Sequence, residues 1–204
     1  MTTAQRDEGE ILLSNVRLSY FYGFKPYTGD DGKGSYTAHS IFGTTHPQVA
    51  AIQALIRKVA VEQWKDKADA VLQQLKAQDK LCIHRGDISK PGKDGYAGML
   101  FISANNKTRP RILATIDGVN QDVDESSEYA PYSGCWANVR IRIWAQDNPK
   151  WGKRINAELR GVQFKRHDQR LGGGGGAAAL DEFGVDAPDA DSAAPATGDE
   201  GLVY

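Results

Sequence analysis

The chain predicts a mainly β protein, a small closed or partly open barrel with one inserted helical segment, on three observations. About seven short strand-like stretches are separated by Gly, Pro, Asn and Asp clusters, and only one region carries helical spacing. Strand and helix patterns do not alternate, which disfavours a parallel α/β sheet. The 204 residues suit one core in about 170 residues with an appendage of about 34. The expected division is therefore a domain over residues 1–170 and a tether and tail over 171–204.

Ile11 to Tyr22 alternates as a first strand, with Leu12, Val16, Leu18 and Tyr20 expected on one face. Gly23, Pro26, Gly29, Gly32 and Gly34 then predict a mobile loop carrying Lys25 and Lys33. A second strand follows over Ser35 to Phe42. His46-Pro47 opens a long helical region to about Gln78, where Val49, Ile52, Leu55, Ile56 and Val59 recur at helical spacing, followed by Val71, Leu72 and Leu75. Five further strands are expected over Leu81 to Arg85, Gly98 to Ala104, Arg111 to Ile116, Ser133 to Ala145 and Ile155 to Lys165.

Charge is sorted along the chain. From Leu171 onward there are seven acidic residues and no Lys or Arg, so the first 170 residues hold all 25 basic residues against the remaining 19 of 26 acidic ones. A body of +6 joined to a tail of −7 points to an anionic partner for the body and a tail that imitates it. The tail's Ala, Asp, Gly and Pro cannot bury enough surface to fold, so disorder is expected beyond the Gly172 to Gly176 tether. No stretch approaches the roughly 20 apolar residues of a membrane span, and the polar N-terminus is unlike a signal peptide, so a cytoplasmic location is expected. Cys82 and Cys135 each lie in an apolar stretch far from the other, a pattern of buried reduced thiols.

The stretch Cys135 to Trp144 has two distinct faces under period-2 alternation. Cys135, Ala137, Val139, Ile141 and Ile143 form a core face, and Trp136, Asn138, Arg140, Arg142 and Trp144 form the other. Indoles offer flat π surfaces for bases, and guanidinium groups offer forked donors for phosphates, the chemistry that single-stranded nucleic acid requires. Each tryptophan equally suits packing beneath the helix. Tyr20, Tyr22 and Lys25 near the first loop, Lys107, Arg109 and Arg111 around Pro110, and Arg160 and Lys165 on the last strand complete the candidate contact set. Trp151, Lys153 and Arg154 stand in the last hairpin. Any one such run is ordinarily a solvated face, and their accumulation in one small body is what favours a nucleic-acid groove.

Catalytic patterns fail. In Gly29-Asp30-Asp31-Gly32-Lys33-Gly34-Ser35, Lys33 precedes Gly rather than Ser or Thr and no helix follows, so a hairpin tip replaces a phosphate loop. His39, His46, His84 and His167 lack metal-ligand spacing. Asp117, Asp122, Asp124, Glu125 and Glu128 lack the glycine of a calcium loop, and Arg85-Gly86-Asp87 reads as a strand-end turn. No catalytic residue, metal or cofactor is expected.

Several short motifs occur in a specific order: Leu18-Ser19-Tyr20 with Pro26, Arg85-Gly86-Asp87, Gly95-Tyr96 with Gly98-Met99, Ile102-Ser103-Ala104, Arg109-Pro110, Tyr132-Ser133-Gly134-Cys135-Trp136, Leu159 to Phe164, Arg170-Leu171-Gly172-Gly173 and Asp181-Glu182-Phe183. Together they resemble the tailed-phage single-stranded DNA-binding proteins long catalogued as a domain of unknown function. The resemblance implies an OB-fold-like five-stranded barrel with extra strands, coating single-stranded DNA in phage replication, recombination or repair within the bacterial host cytoplasm. It also implies recruitment of replication or recombination proteins through the tail, where Asp199, Glu200, Leu202 and Tyr204 form the expected contact tip. Weaker duplex binding and a homodimer complete the expected partners, with no membrane. The rival readings are a duplex-binding, annealing or structural phage protein, and a metal-dependent nuclease built on the acidic stretch.

Overall fold

The structure, a computed structural model, describes residues 9–29 and 32–171. The expected tether, disorder and contact tip of the tail lie outside the described residues, as do Asp30 and Asp31. Among the described residues eight strands appear in chain order: β1 (Glu10–Thr28), β2 (Gly34–Gly43), β3 (Ile83–Arg85), β4 (Met99–Asn106), β5 (Arg111–Ile116), β6 (Val119–Asp122), β7 (Trp136–Asn148) and β8 (Gly152–Arg166). Five of them close a barrel. β1 pairs with β2 and β7, β2 with β4, and β7 with β8, all antiparallel, and the parallel pairs Ala104↔Ala157 and Asn105↔Glu158 join β4 to β8. β3 adds an edge beside β4, and the β5–β6 hairpin joins β8 through parallel pairs from Arg111↔Gly161 to Ala114↔Phe164. The fold expectation holds: a mainly β, OB-like five-stranded barrel with extra strands and one helical segment.

The predicted core face of β7 fills the barrel. Cys135, Ala137, Val139, Ile141 and Ile143 are all buried, facing Leu13, Val16 and Leu18 of β1 and Leu159 and Val162 of β8. β1 departs from simple alternation. Leu13 is buried while Leu12 is 47% exposed, and Tyr20 is 37% exposed although Leu18 is buried. The cause is local: Asn15 (φ 53°) and Tyr20 (φ 46°) take left-handed backbone conformations where the register shifts, and each bulge changes which residues face inward. The strand also runs through the expected mobile loop as far as Thr28.

The helical region is two helices. α1 (Val49–Trp64) and α2 (Ala68–Ala77) are separated by a single 3₁₀ turn at Lys65–Lys67, begun by Lys65 at φ 51°. Ile52, Ile56, Val59 and Trp64 of α1 and Leu75 of α2 pack into the barrel core. Gln48 makes no capping bond to the helix. Its side chain ties β1 instead, accepting from Ser14 N at 2.7 Å and donating to Leu12 O at 2.6 Å.

A smaller cluster lies outside the barrel, where Tyr96 and Leu171 pack on Ile41 and Phe101 of β2 and β4. Arg85-Gly86-Asp87 serves this packing. Gly86 opens a single helical turn, α3 (Gly86–Ser89), against the backbone of Tyr96, where a Cβ would meet Tyr96 O at 1.9 Å, and Asp87 accepts from Gly98 N at 2.8 Å. Cys82 and Cys135 are buried and unpaired, and burial pushes their thiols up to about 12 and about 11.

Candidate nucleic-acid interface

The outward residues of β7 do not form one uniform surface. At its start, the Trp136 indole N–H donates to Asp168 at 2.6 Å and the Arg166 guanidinium lies 4.3 Å from the ring centre. The preceding Tyr132-Ser133-Gly134 grips the chain beyond β8. Leu171 N donates to Ser133 O at 3.0 Å, Tyr132 Oη donates to Asp168 O at 2.8 Å, and Arg17 bridges Gly134 O and Gln169 O. Gly134 is at φ +116°, with Gln169 O only 2.2 Å from where a Cβ would stand. This motif is a clamp on the exit from the barrel.

In the middle of β7, Arg140 is engaged internally. Its Nε donates to Glu10 Oε2 at 3.0 Å, and Glu10 also lies 3.8 Å from Arg160, which reaches Glu158 at 3.5 Å. Arg142 differs. Its Nε, like that of Arg160, is buried with no hydrogen-bond partner among the described residues, and it stands beside a cleft of about 430 Å³ lined by Arg142, Trp144, Asn105, Lys107, Asn156 and the carboxylate of Glu158. Trp144 is 39% exposed there. A buried guanidinium N–H without an acceptor is costly unless a ligand oxygen supplies one. An open indole beside it supplies a stacking surface.

The barrel's register carries this cleft across the sheet. Arg142↔Glu158, Glu158↔Asn105, Asn105↔Thr37 and Thr37↔Tyr22 are successive cross-strand partners, so their side chains form one outward row over β7, β8, β4, β2 and β1. The row ends among aromatics. Tyr22 and Tyr27 lie 5.1 Å apart, while the Tyr20 ring is tilted against His39 at 4.9 Å with the Lys90 ammonium 4.6 Å from its centre. His39 is bonded to Tyr96 Oη at 2.7 Å and stacked on Phe101, and burial, then the charges of Lys90 and His84, lower its pKa to about 3. It is a neutral support for Tyr20.

The remaining sequence candidates are scattered. Arg111 is held by a two-pronged bond to Asp122 at 2.8 and 3.0 Å, and Lys25 pairs with Glu125 at 2.8 Å. Arg109 lies 5.8 Å from the Phe24 ring, and Lys165 is exposed near the far end of β8. Sequence reasoning missed Asn105, Thr37 and Lys90, because only barrel closure and the outer loop bring them to the row. Among the described residues no group of three or more His, Cys, Asp or Glu is placed to hold a metal ion, and no helix is long and apolar enough to cross a membrane.

A closed five-stranded barrel with a polar outer row ending among aromatics defines a protein of the oligonucleotide/oligosaccharide-binding class. Residues 9–193 match the family described as Enterobacter phage Enc34, ssDNA-binding protein, and the chain belongs to that family. It is 34% identical over 179 residues to protein p50 of Acyrthosiphon pisum secondary endosymbiont phage 1, covering 85% of this chain and 92% of that one. The single-stranded DNA-binding protein of bacteriophage Enc34 in complex with ssDNA superposes with a TM-score of 0.67 at 32% identity, over 81% of this chain and 91% of the other. The bacteriophage T7 single-stranded DNA-binding protein gp2.5 matches at a TM-score of 0.51 and 13% identity over 87% and 98%, a likeness of fold alone.

Proposed function

We propose that this chain is a phage protein that binds single-stranded DNA along the outward row, without catalysis, in the replication, recombination or repair of phage DNA in the host cytoplasm. The observation that carries the reading is the unpartnered Arg142 Nε beside the exposed Trp144, in a cleft whose Asn105 and Glu158 belong to a cross-strand row that runs through Thr37 to Tyr22. Trp144, Tyr20 and Tyr22 stack bases; Arg142 and Lys107 meet phosphates. Arg140 and Arg160 hold Glu10 and contribute to the field around the path, and Arg111 and Lys25 stand with their carboxylate partners. The relative solved in complex with ssDNA supports the choice of ligand.

The seven carboxylates after residue 170 extend this reading. Tethered to a body of +6, they compete with DNA at an effective concentration on the order of millimolar, and DNA releases the tip Asp199, Glu200, Leu202 and Tyr204 to acidic-tail receptors among replication proteins. The test is a salt titration of matched single and double strands, with the full chain and with a chain lacking Asp181 to Tyr204. Single strands are expected to bind tighter at every salt, and the truncated chain to gain affinity most at low salt, where charge competition is least screened. Equal or better duplex binding overturns the single-strand reading. An unchanged affinity after truncation overturns the competition alone.

A further inference from the structure

The β7–β8 hairpin outruns the barrel. β1 pairs with β7 as far as Glu10↔Arg142, and β4 meets β8 at Ala157 and Glu158. The pairs from Trp144↔Asn156 to Asn148↔Gly152 lie beyond both, flanked among the described residues by one backbone hydrogen bond, Ile155 N to Lys80 O at 3.1 Å. These rows project about 13 Å of two-stranded ribbon past the rim. Such a ribbon is marginal unsupported, and this one is braced on one face. The Trp64 indole N–H donates to Asp147 at 3.0 Å, Lys153 pairs with the same carboxylate, and Ile155 is buried.

The tip is built to hold one shape. Asn148 Oδ1 accepts from Lys150 N at 2.8 Å and from Trp151 N at 3.0 Å, fixing the turn. Trp151 at that turn is 67% exposed, and the ring contact it makes is with the Lys150 ammonium, 4.9 Å from its centre. A tryptophan that serves packing is largely buried, and this one is not. The other face of the ribbon leads to it from the cleft, since Trp144, Gln146 and Asn156 line the cleft and Arg154 is the cross-strand partner of Gln146.

We infer that Lys150 and Trp151 form a distal nucleotide site. A base of the single strand leaving the Trp144 cleft stacks on the Trp151 ring, and the Lys150 ammonium moves from the ring to the adjoining phosphate. The site rests on the path proposed above and lengthens it by the reach of the hairpin. Stacking on an indole needs no particular base, so the site adds length dependence without sequence preference.

The experiment compares Trp151→Ala, Trp151→Phe, Lys150→Ala and Trp144→Ala in the full chain, on oligothymidylates of about 4 and about 16 nucleotides, the span of site sizes for one such barrel. Thermal unfolding of the Trp151 variants is expected to match the parent, because the side chain is mostly exposed. Trp151→Ala is expected to weaken the longer oligonucleotide about 5- to 150-fold and leave the shorter unchanged. Trp151→Phe keeps most of the affinity, and Lys150→Ala lowers the salt slope by about 0.7 on the longer strand only. Parent-like binding by Trp151→Ala alongside weakened Trp144→Ala overturns the distal site and leaves the cleft standing. Equal weakening at both lengths overturns its distal position. Parent-like binding by both tryptophan variants removes the cleft reading, and the distal site with it.

Discussion

Trp136 and Trp144 lie on the same outward face of β7, eight residues and about 27 Å of strand apart, and they differ in what stands over them. Trp136 is committed within the fold. Its N–H goes to Asp168, Arg166 covers its ring, and the backbone before it grips residues up to Leu171. Trp144 stands open in a cleft beside a guanidinium N–H with no acceptor. An outward position on a strand is therefore an opportunity for binding, and the chain that returns across it decides whether that opportunity remains.

The largest test strikes the committed end. Gly134→Ala forces a Cβ into Gln169 O from a left-handed backbone, and is expected to cost at least about 2–3 kcal/mol of unfolding free energy in denaturant titration. A loss below about 0.5 kcal/mol means that the clamp yields and that Trp136 is as available as Trp144. Next, Trp144→Ala should weaken single-strand binding by about 1–3 kcal/mol with little change in stability, while Trp136→Ala should cost about 1 kcal/mol of stability and leave binding intact. The flanking cations follow the same division. Lys107→Ala should lower the salt slope by about 0.7, and Arg166→Ala should leave it unchanged. If both tryptophan variants lose affinity alike, the two ends are one surface and the distinction fails.

The smallest test is a pH dependence. The hydrogen bond from Trp136, then that from Gln169 N and the charges of Arg17 and Arg166, hold the Asp168 carboxyl below its ordinary 3.8. A carboxylate whose folded pKa is depressed stabilises the fold above its unfolded pKa and loses that contribution as pH falls through the folded value. Stability of the clamp should thus be level above about pH 5 and decline below 3.8. Trp136→Phe should make that acid limb shallower, whereas Trp144→Phe should leave it alone. Matching acid limbs in the two variants would show that Asp168 does not distinguish the ends.

Much of the barrel was legible in the order of residues, and the failures have definite causes. β7 was readable because strict alternation of small or apolar side chains with polar ones leaves one register that fills a core. β1 was misread at Leu12 and Tyr20 because two left-handed residues, neither of them glycine, change the inward face twice. The break at Lys65 was hidden for the same reason. β6 went unseen because Val-Asn-Gln-Asp has no apolar face, being held by pairing with β5. The site was legible as a kind of chemistry and only partly as a place. Nothing in the spacing of Arg140 and Arg142 separates them, since Glu10, which neutralises the first, is 130 residues away in the chain. Asn105 and Lys107 join Trp144 only because a parallel seam closes the barrel.

That seam also sets a schedule. β4 meets β8 through Asn105 and Glu158, and β1 meets β7 through Glu10 and Arg142, so the pairings that shape the cleft span long stretches of chain and form late in folding. During synthesis at about 5–20 residues per second, the edge of β4 waits several seconds for its partner strand. Until then the cleft does not exist, because Arg142 and Trp144 have no Asn105 or Lys107 opposite them. A fragment that ends before β8 therefore lacks the seam that assembles the proposed path, and it leaves part of the β4 edge unpaired, a feature prone to self-association.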